Sequence, residues 1–553
     1  MKKKILMVSE ASFCQSGYGV YTKEALTRLH KNPNLEVAEL ACNVEHGDPM
    51  LESTPWKCFP NRPKRGDVEG NKQFDVNPYN RFGFFELNRV LMNFQPDFVM
   101  DIRDHWHMTF EESSPFRDFF KLAWMPTVDA EPQNQLWINS YEDADALFTY
   151  TEFGRDTLFN QSVSIRNKFF GVPSPGASDN FKRLNKSTIR EKMEIPENSV
   201  VFGTVMRNQR RKLFPDLFAA FRKFLDRIAD AEREKAFLYC HTCHPDVGWD
   251  IPELLKEYDL GNNTFFSYQC ISCKEVTPKR YNDWCTQCEK CSNFTTHMVG
   301  PNNPMEEIML NDVYNAFDVY VQWANSEGFG LSVAEAAHVG LPVVAVNYSG
   351  MASVVSNLNG ISITPISYYK ELETGCKRAV PNNDVLADVM ELLFKNEKLR
   401  KDIGQECYIN SKKRYMWDDN IKVWEDYFVN AEVPSHEFTW KSPPRLFNPP
   451  KEMPEVIKTL TTVEKVNWLF ANVLGRPDMI GRAIWKRMTR DLMYGLGLSH
   501  FIPGFYFVDA SYMCDFERKP MGYSLEDAFK ECLAIRHFWN HYEKQRELIN
   551  CQK

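Results

Sequence analysis

Long apolar runs are missing from this sequence. Nowhere in its 553 residues do roughly 18 apolar residues follow one another, the length that a membrane-spanning helix needs. The basic start Met1–Lys4 resembles that of a signal peptide, but only Ile5–Val8 follow before the polar Ser9. The apolar segment of a signal peptide is therefore lacking, and we expect a protein of the cytosol.

Internal repeats, low-complexity segments and an excess of positive charge are also missing. The net charge of −8 argues against a surface built for non-specific binding to nucleic acid. With 43% hydrophobic and 25% charged residues, the composition is that of a globular protein and not of a disordered one. The length exceeds that of one ordinary core, which predicts two domains with additions.

Apolar runs alternate with helical spacing in the first third of the chain. The turn Ser16–Gly19 separates a predicted strand at Ile5–Val8 from a predicted helix at Val20–Leu29. The turn-rich segment Gly171–Gly176 is the predicted hinge to a second domain. The other predicted strands before this hinge are Phe98–Met100, Lys121–Trp124 and Ala146–Thr149.

The same alternation begins again after the hinge. A predicted amphipathic helix spans Leu213–Ile228. The predicted strands of this part are Val200–Val205, Ala236–Tyr239, Val313–Phe317, Val319–Val321 and Pro342–Val346. Repeated strand–helix units predict doubly wound, mostly parallel sheets. We therefore predict an α/β fold with two Rossmann-like domains, over residues 1–172 and 173–433, and a mostly helical appendix over 434–553 that begins with a proline-rich link.

The most informative segment is Ser326–Ala345, with the sequence SEGFGLSVAEAAHVGLPVVA. Gly328 and Gly330 predict a tight turn after a strand, and a helix that starts near Leu331 directs its first N–H groups back at that turn. Because no bulky side chain stands in the way, such a helix N-terminus is a ready site for a phosphate group.

Two carboxylates belong to the same segment. Glu327 precedes the turn and Glu335 lies on the predicted helix, so that both can face one cleft at different depths. Carboxylates accept hydrogen bonds from hydroxyl groups, so one could hold a ribose and the other a sugar. The alternative is a buried strand–helix turn with two solvated glutamates, which the combined spacing disfavours.

This segment resembles the donor site of retaining glycosyltransferases with the GT-B fold, in particular those of family 4. Glu327 and Glu335 match the Glu-x7-Glu element of that family, and Gly340 and Pro342 match its Gly-x-Pro-Val-Val-Ala tail. Ser349 stands where the family usually has the first of two glycines.

The resemblance implies a GT-B fold and a role for each matched residue. Glu335 then binds the nucleotide ribose, and Glu327 is a catalytic candidate near the transferred sugar. The backbone amides that contact the donor diphosphate are those of Phe329, Gly330 and Leu331.

A second match follows the first predicted strand of the second domain. The family has an arginine there and a lysine five residues on, and Arg207 and Lys212 have that spacing. The resemblance implies that both are catalytic, because they neutralise the donor diphosphate and stabilise the charge that develops as it leaves. A basic loop in water is the alternative, and the neighbouring Arg210 and Arg211 leave the register open.

The first domain matches the family more loosely. Gly17 and Gly19 occupy the place of its glycine-rich loop, near the donor phosphates or the acceptor. The family often has a histidine after a strand of this domain that contacts the donor sugar. This makes His105 a catalytic candidate, with a structural role as the alternative. Asp101 and Asp104 are candidates for the same contact, and Asp129 falls at a predicted strand end that faces the cleft.

Cysteine is concentrated in one stretch of the second domain. Seven of the 15 cysteines fall between Cys240 and Cys291, which in a reducing compartment indicates metal ligands and not disulfides. Two Cys-x2-Cys pairs separated by eleven residues are typical of a tetrahedral zinc site, and four thiolates make that site structural. The predicted ligands, in a zinc-ribbon-like insertion over residues 268–298, are Cys270, Cys273, Cys285 and Cys288, with Cys291 or a nearby histidine as an alternative.

The sequence thus predicts a retaining glycosyltransferase that moves a sugar from a nucleotide-sugar donor to a hydroxyl acceptor and needs no catalytic metal. The resemblance implies that the leaving phosphate helps to deprotonate the acceptor, so that no protein base is required. Two rival hypotheses remain. One is a zinc-containing nucleic-acid-binding protein with an inactive GT-B core, and the other is a GT-B nucleotide-sugar epimerase.

The acceptor is predicted only by class. A basic stripe in the appendix, made of Arg482, Lys486 and Arg490, and the zinc-ribbon-like insertion make a nucleic acid one candidate. The alternative for the stripe is the solvated face of an amphipathic helix that covers a domain edge. A hydroxymethylated base in DNA, as modified by phage glycosyltransferases, is therefore one predicted acceptor. A glycan is the second, and the sequence also leaves a protein or, with less support, a lipid open.

Overall fold

The computed structural model describes residues 2–433, apart from 115, 283–284 and 301–302, together with a few isolated residues after 433. The appendix predicted over 434–553, with its stripe of Arg482, Lys486 and Arg490, lies outside the described residues. Within the described part of the chain, no helix is both long and apolar enough to cross a membrane.

The first half of the chain forms a parallel sheet flanked by helices. Its strands are β1 (Lys3–Glu10), β2 (Leu35–Glu45), β3 (Lys57–Arg62), β4 (Phe98–Asp101), β5 (Lys121–Trp124), β6 (Ala146–Phe148) and β7 (Phe169–Gly171). Its helices are α1 (Gly17–Lys31), α2 (Val68–Asp75), α3 (Phe84–Phe94), α4 (His105–Met108), α5 (Gln135–Asp143), α6 (Glu152–Gln161) and α7 (Val163–Arg166).

The seven strands lie in the order β3-β2-β1-β4-β5-β6-β7, and every pair is parallel. The order runs outward from β1 in both directions, as in a Rossmann fold. Ile5–Val8 in β1 are fully buried because helices cover both faces of the sheet. After the loop that follows β1, the Ser16 side chain caps α1 by accepting a hydrogen bond from the Gly19 amide.

The second half has a parallel core with an antiparallel extension. Its sheet contains β8 (Val200–Val205), β9 (Ala236–His241), β10 (Thr264–Cys270), β11 (Val276–Lys279), β12 (Cys285–Thr286), β13 (Thr296–Met298), β14 (Val319–Gln322), β15 (Val343–Val346) and β16 (Ile361–Ile363). A separate hairpin consists of β17 (Ser367–Lys370) and β18 (Lys377–Val380). The helices of this half are α8 (Lys186–Lys192), α9 (Phe214–Arg227), α10 (Asp230–Arg233), α11 (Ile251–Glu257), α12 (Glu307–Ala316), α13 (Leu331–His338), α14 (Ser349–Leu358), α15 (Asn383–Lys395), α16 (Glu397–Arg414) and α17 (Trp417–Asn430).

The strand order of the second sheet is β12-β13-β10-β9-β8-β14-β15-β16, with β11 paired to β10. Pairing is parallel from β10 to β16 and antiparallel where β11, β12 and β13 are added. The predicted α/β class with two Rossmann-like domains is therefore confirmed. One predicted element is wrong: Val313–Phe317 lies mostly in α12, because a short apolar run does not distinguish a buried helix from a strand.

The last described helix returns to the first domain. The Trp424 indole on α17 donates a hydrogen bond of 2.9 Å to the Tyr21 hydroxyl and packs on the Phe148 ring at 3.8 Å. Lys3 at the start of β1 donates to three carbonyls at the end of this helix, those of Phe428, Val429 and Ala431. Helix α17 thus ties the two halves together at a distance from the cleft between them.

Candidate active site

Lys212 is positioned by a short pairing of two loops of the second domain. Its backbone forms an antiparallel bridge with Ala324, and Leu213 donates a hydrogen bond to the Trp323 carbonyl. The Asn325 amide in turn donates to the Arg211 carbonyl at 3.0 Å. The loop after β8 and the loop after β14 are therefore fixed side by side at the carboxyl end of the sheet, where ligands of open α/β sheets bind.

This pairing surrounds the Glu327 carboxylate with two cations. Lys212 forms an ion pair with one carboxylate oxygen, and Arg211 binds the other at 2.5 Å. The Gln322 amide donates a third hydrogen bond of 3.0 Å. Glu327 is only 5% exposed, so these partners offset the cost of burying its charge. Burial and the neighbouring Arg211 guanidinium lower the pKa of the Lys212 ammonium.

Ser349 secures the backbone on either side of the Glu327 turn. The Glu327 amide donates to the Ser349 hydroxyl at 2.9 Å, and the Gly350 amide donates to the Glu327 carbonyl at the same distance. Ser349 itself has a left-handed backbone with φ +59°. Its side chain accepts a hydrogen bond that a glycine at this position could not accept.

Helix α13 begins at Gly330, whose φ of +90° lies in the left-handed region that favours glycine. No described residue accepts a hydrogen bond from the backbone N–H of Leu331 or Ser332 in the first turn. These donors, together with the positive end of the helix dipole, lie directly after the Glu327 cluster. The predicted phosphate site is thus a helix N-terminus next to two cationic side chains.

Glu335 lies one turn further along the same helix. Its carboxylate accepts a hydrogen bond of 2.6 Å from the Tyr314 hydroxyl on α12. Burial raises the pKa of Glu335 to about 7, and the nearby Glu307 carboxylate adds to this shift. The side chain is half-buried and does not belong to the Glu327 ion cluster. Glu327 and Glu335 therefore occupy different environments.

The first domain closes over this site from the opposite side. Gly17 lies next to the Leu331 side chain, since a Cβ atom on Gly17 would sit 3.7 Å from it. A Cβ atom on Gly328 would approach the Thr127 methyl group to 2.5 Å, so the Gly328 backbone packs directly against the Thr127 side chain of the first domain. The predicted glycine-rich loop thus faces the first turn of α13, whereas Gly19 packs against its own loop, at the Cys14 carbonyl.

Asp104 is the acidic group of this opposite face. It is hydrogen-bonded to Tyr18 and Thr127, whose hydroxyl groups lie 2.9 Å from each other. Burial and the Asp129 carboxylate raise the pKa of Asp104 to about 6, while Arg211 from the second domain opposes the shift. The pKa of Asp104 therefore depends on charged groups from both domains.

Asp129 connects the domains through Arg378 on β18. The Arg378 guanidinium lies 2.8 Å from the Asp129 carboxylate and 2.6 Å from the Ser326 hydroxyl. It also binds Glu371 of the same hairpin at 2.6 Å. Because Ser326 directly precedes Glu327, this contact fixes the loop that carries the ion cluster to the first domain.

The other candidates of the first domain lie elsewhere. The His105 ring stacks on Trp137 with centroids 5.3 Å apart and meets the Tyr141 ring edge-on. Asp101 is fully buried in an ion pair with Arg103. These contacts of His105 and Asp101 are of the kind that stabilise a domain core. Of the three polar candidates near the end of β4, Asp104 is the one that lies near residues of the second domain.

Arg207 has a different partner from the one that its predicted role suggests. Its guanidinium makes two hydrogen bonds of 3.0 Å to Asp246, and its side chain is 47% exposed. Arg211, and not Arg207, accompanies Lys212 at Glu327. The sequence left this register open, because the bridge between Lys212 and Ala324 that sets it joins segments over a hundred residues apart.

The cysteine insertion forms a cluster whose members differ from the prediction in one position. The Sγ atoms of Cys270, Cys273, Cys288 and Cys291 lie within 4.8 Å of one another. Cys285 is not in this group. It lies on β12 with its Sγ 3.6 Å from the His297 imidazole, because its pairing with β13 directs it there. Cys291, the predicted alternative, takes its place.

Several residues of the site were not predicted. Their separation along the chain explains this, because hydroxyl groups and single arginines carry no motif by themselves. Only the run of basic residues around Arg211 offered a signal. The residues are Tyr18, Thr127, Arg211, Tyr314 and Arg378.

Comparison with known proteins identifies the segment that carries Glu327 and Glu335. Residues 284–409 match the family model described as glycosyl transferases group 1. A D-inositol 3-phosphate glycosyltransferase from Xylanimonas cellulosilytica is 30% identical over 131 residues. That alignment covers 23% of this chain and 27% of the relative, so it spans about a quarter of either protein.

Several solved structures superpose on a longer part of the chain. A glycosyltransferase from Rickettsia africae and a sucrose-phosphate synthase from Thermosynechococcus elongatus superpose with TM-scores of 0.53 and 0.52, each at 15% identity. HepE from Anabaena in complex with UDP superposes with a TM-score of 0.52 at 13% identity. Each comparison covers 78% of this chain and 100% of the other. Such identities show the fold alone: the chain has a GT-B-like α/β fold, and within it a region that matches the glycosyl transferases group 1.

Proposed function

We propose that this protein is a glycosyltransferase that transfers a sugar from a nucleotide-sugar donor to a hydroxyl acceptor. The observation that carries the proposal is the cluster of Arg211 and Lys212 around Glu327, directly before the free first turn of α13. The match of residues 284–409 to the glycosyl transferases group 1 supports it, because that region contains Glu327, Glu335 and all of α13.

In this proposal the donor diphosphate binds at the N-terminus of α13. The amides of Phe329, Gly330 and Leu331 donate to its oxygens, and Arg211 and Lys212 balance its negative charge. Two cations against the single Glu327 carboxylate leave a net positive charge for the diphosphate. Arg207, the further cation that the family resemblance assigns, joins them only if its pair with Asp246 opens.

Glu335 is proposed to hold the nucleotide ribose. Its second carboxylate oxygen is available beside the one that Tyr314 binds, and an ionised carboxylate accepts hydrogen bonds from two neighbouring hydroxyl groups. Uridine diphosphate sugars are the first donors to test, since a protein with the same fold is known in complex with UDP. Glu327 lies nearer the interdomain face, where we place the transferred sugar.

We propose that the reaction retains the anomeric configuration, as the resemblance to family 4 implies. The acceptor oxygen forms a bond to the anomeric carbon while the bond from that carbon to the diphosphate oxygen breaks. The acceptor proton passes to a phosphate oxygen. Arg211 and Lys212 stabilise the developing charge, and in this scheme the zinc predicted from the cysteines has no part in the transfer, because four thiolates fill its coordination sphere.

The acceptor proposal follows the sequence prediction of a hydroxymethylated base in DNA, with a glycan as the second acceptor to test. Its support is the predicted basic stripe of Arg482, Lys486 and Arg490, together with the cysteine insertion. A base in a duplex would have to be flipped out to reach the cleft. Binding of hydroxymethylated duplex that weakens steeply with added salt is the expected result, and absence of binding at low salt would overturn the DNA acceptor.

The decisive experiment is to incubate the full chain with a panel of nucleotide sugars and to measure the nucleoside diphosphate released, with and without acceptors. Released diphosphate and a product with retained configuration, read by NMR, are expected for the wild type and not for Lys212→Ala. An epimerised nucleotide sugar as the only product would establish the epimerase instead. Intact donor in every reaction would favour an inactive core.

A further inference from the structure

The cysteine cluster has the dimensions of a tetrahedral metal site. Cys270 lies 3.6 Å from Cys291, and Cys273 lies 3.6 Å from Cys288, measured between Sγ atoms. These distances are far longer than a disulfide bond of about 2.05 Å. They are close to the edge of about 3.8 Å that four sulfurs form around a zinc ion with Zn–S bonds of about 2.3 Å.

The two Cys-x2-Cys turns of the cluster repeat the same backbone geometry. In the first turn, the Lys274 amide donates to the Cys270 carbonyl, and Lys274 has a left-handed φ of +60°. In the second turn, the Ser292 amide donates to the Cys288 carbonyl, and Ser292 also has a φ of +60°. The bonds are 2.9 Å long in both. Two segments with different sequences therefore adopt the same turn with a left-handed residue. A common role of their cysteine sulfurs as ligands explains this repetition.

The same turns aim backbone amides at the sulfurs. The Cys270 sulfur accepts hydrogen bonds from the amides of Ser272 and Cys273. The Cys288 sulfur accepts them from the amides at the two equivalent positions, Lys290 and Cys291. Amide donors in this number stabilise the negative charge that a thiolate ligand carries, and they are of little use to a neutral thiol.

Ion pairs hold the two turns against each other. Lys290 of the second turn lies 2.5 Å from Glu275, which follows the first turn. Lys279 on β11 lies 2.6 Å from Glu289 in the second turn. Such exposed pairs contribute little to stability individually. Here they show that oppositely charged side chains lie where the two turns come together.

We propose that Cys270, Cys273, Cys288 and Cys291 bind one zinc ion through four thiolates, and that Cys285 is not a ligand. Binding releases the thiol protons to solvent and leaves the zinc with no open position, so the ion is structural. This inference stands apart from the proposed function, since it concerns a metal ion that takes no part in sugar transfer.

The ion would secure the strand that leads out of the insertion. β10 pairs with β9 through Thr264–Phe266 and with β13 through Tyr268–Cys270, so the insertion rises from the carboxyl end of β10. After β13, Gly300 approaches Cys243 so closely that a Cβ atom would lie 2.8 Å from its sulfur. Zinc in the cluster therefore braces the segment that returns the chain to the core of the second domain.

The test measures the zinc content of the purified full chain and of two single variants, Cys291→Ser and Cys285→Ser. Both variants remove one thiol from the same short segment, so each is the control for the other. We expect about one zinc per chain in the wild type and in Cys285→Ser. Cys291→Ser should lose the ion, and with it the resistance of residues 270–298 to limited proteolysis. Far-UV circular dichroism checks that both variants fold.

Cobalt exchange gives a second, spectroscopic readout. Cobalt in place of zinc should show the visible absorption bands of tetrahedral thiolate coordination in the wild type and in Cys285→Ser. Loss of zinc from Cys285→Ser with retention in Cys291→Ser would overturn the ligand set. Wild-type protein that contains iron or no metal, and does not bind added zinc, would overturn the assignment of zinc. Neither result depends on transferase activity.

Discussion

The two faces of the cleft differ in charge. The face of the second domain carries the Arg211 and Lys212 cations and the free amides of α13 against the single carboxylate of Glu327. The face of the first domain carries the Asp104 carboxylate among hydroxyl groups. A diphosphate is attracted to the former, whereas a carboxylate among hydroxyls suits an acceptor that carries hydroxyl groups. The difference supports the proposed orientation of the cleft, with the donor on the second domain.

Removing Lys212, the buried cation on the face of the second domain, should have the largest effect. In Lys212→Ala, we expect kcat to fall about 100- to 1000-fold, because the charge acts mainly on the leaving diphosphate. The donor KM should change less, since Arg211 and the helix amides still bind the ground state. Steady-state kinetics with saturating donor measures this.

The control for this variant is Lys212→Ala combined with Glu327→Gln, because the single change leaves a buried carboxylate with one cation fewer. Thermal unfolding of both variants separates loss of folding from loss of catalysis. An unchanged kcat in a folded Lys212→Ala protein would remove the cationic face from the mechanism.

The ribose contact should come next in size. Glu335→Ala should raise the donor KM roughly ten- to a hundredfold, since a hydrogen bond to a charged group contributes about 1.5–3 kcal/mol. kcat should change little, because the ribose is held alike before and during the reaction. Isothermal titration with UDP measures the loss directly. Equal UDP affinity in the variant and the wild type would refute the assignment.

The pH dependence of donor binding sharpens the same assignment. The pKa of Glu335 is raised to about 7, and its ionised form is the one that accepts two hydrogen bonds. Donor affinity should therefore fall as the pH drops below this value, approaching tenfold per unit, and level off above it. Glu335→Gln should abolish this dependence. Glu307→Gln, which removes a repelling charge, should move the midpoint to lower pH.

The faces of the two domains also differ in how much of them could be predicted from the sequence. The residues of the proposed donor face could be suggested from the sequence because Glu327, the turn and Glu335 belong to one contiguous motif. Those of the proposed acceptor face could not, because Tyr18, Asp104 and Thr127 come from three loops that only the strand order β1-β4-β5 brings together. The two-domain α/β fold followed from repeated strand–helix alternation.

At the cysteine insertion and the basic loop, spacing alone does not set the register. Cys285, Cys288 and Cys291 form two overlapping Cys-x2-Cys pairs, and only the pairing of β12 with β13 shows which one faces Cys270. Arg207 and Arg211 pose the same kind of choice, and the bridge from Lys212 to Ala324 places Arg211 at Glu327 in this structure. Neither contact follows from the spacing of the motif.

A smaller effect is expected at the acidic face. Asp104→Asn keeps the shape of the side chain and removes its charge, so the acceptor KM should rise about two- to tenfold, as for a hydrogen bond worth 0.5–1.5 kcal/mol. The donor KM should not rise, because the lost charge repels the diphosphate. Transfer kinetics with varied acceptor test this. A larger effect on donor than on acceptor would contradict the orientation of the cleft.

The smallest effect is expected at Arg207, and it distinguishes the two arginines of the basic loop. Arg207 pairs with Asp246 at a site where half of its side chain meets solvent, and such pairs contribute about 0–1 kcal/mol. If this pair persists when the donor binds, Arg207→Ala should change kcat and the donor KM by no more than about fivefold, whereas Arg211→Ala should come closer to Lys212→Ala.

Asp246→Asn is the matched control, since it frees Arg207 without removing it. A loss in Arg207→Ala as large as in Lys212→Ala would mean that the pair opens and that Arg207 turns to the diphosphate, as the family resemblance implies. Asp246→Asn should then bind donor at least as tightly as the wild type, because it removes the competing carboxylate.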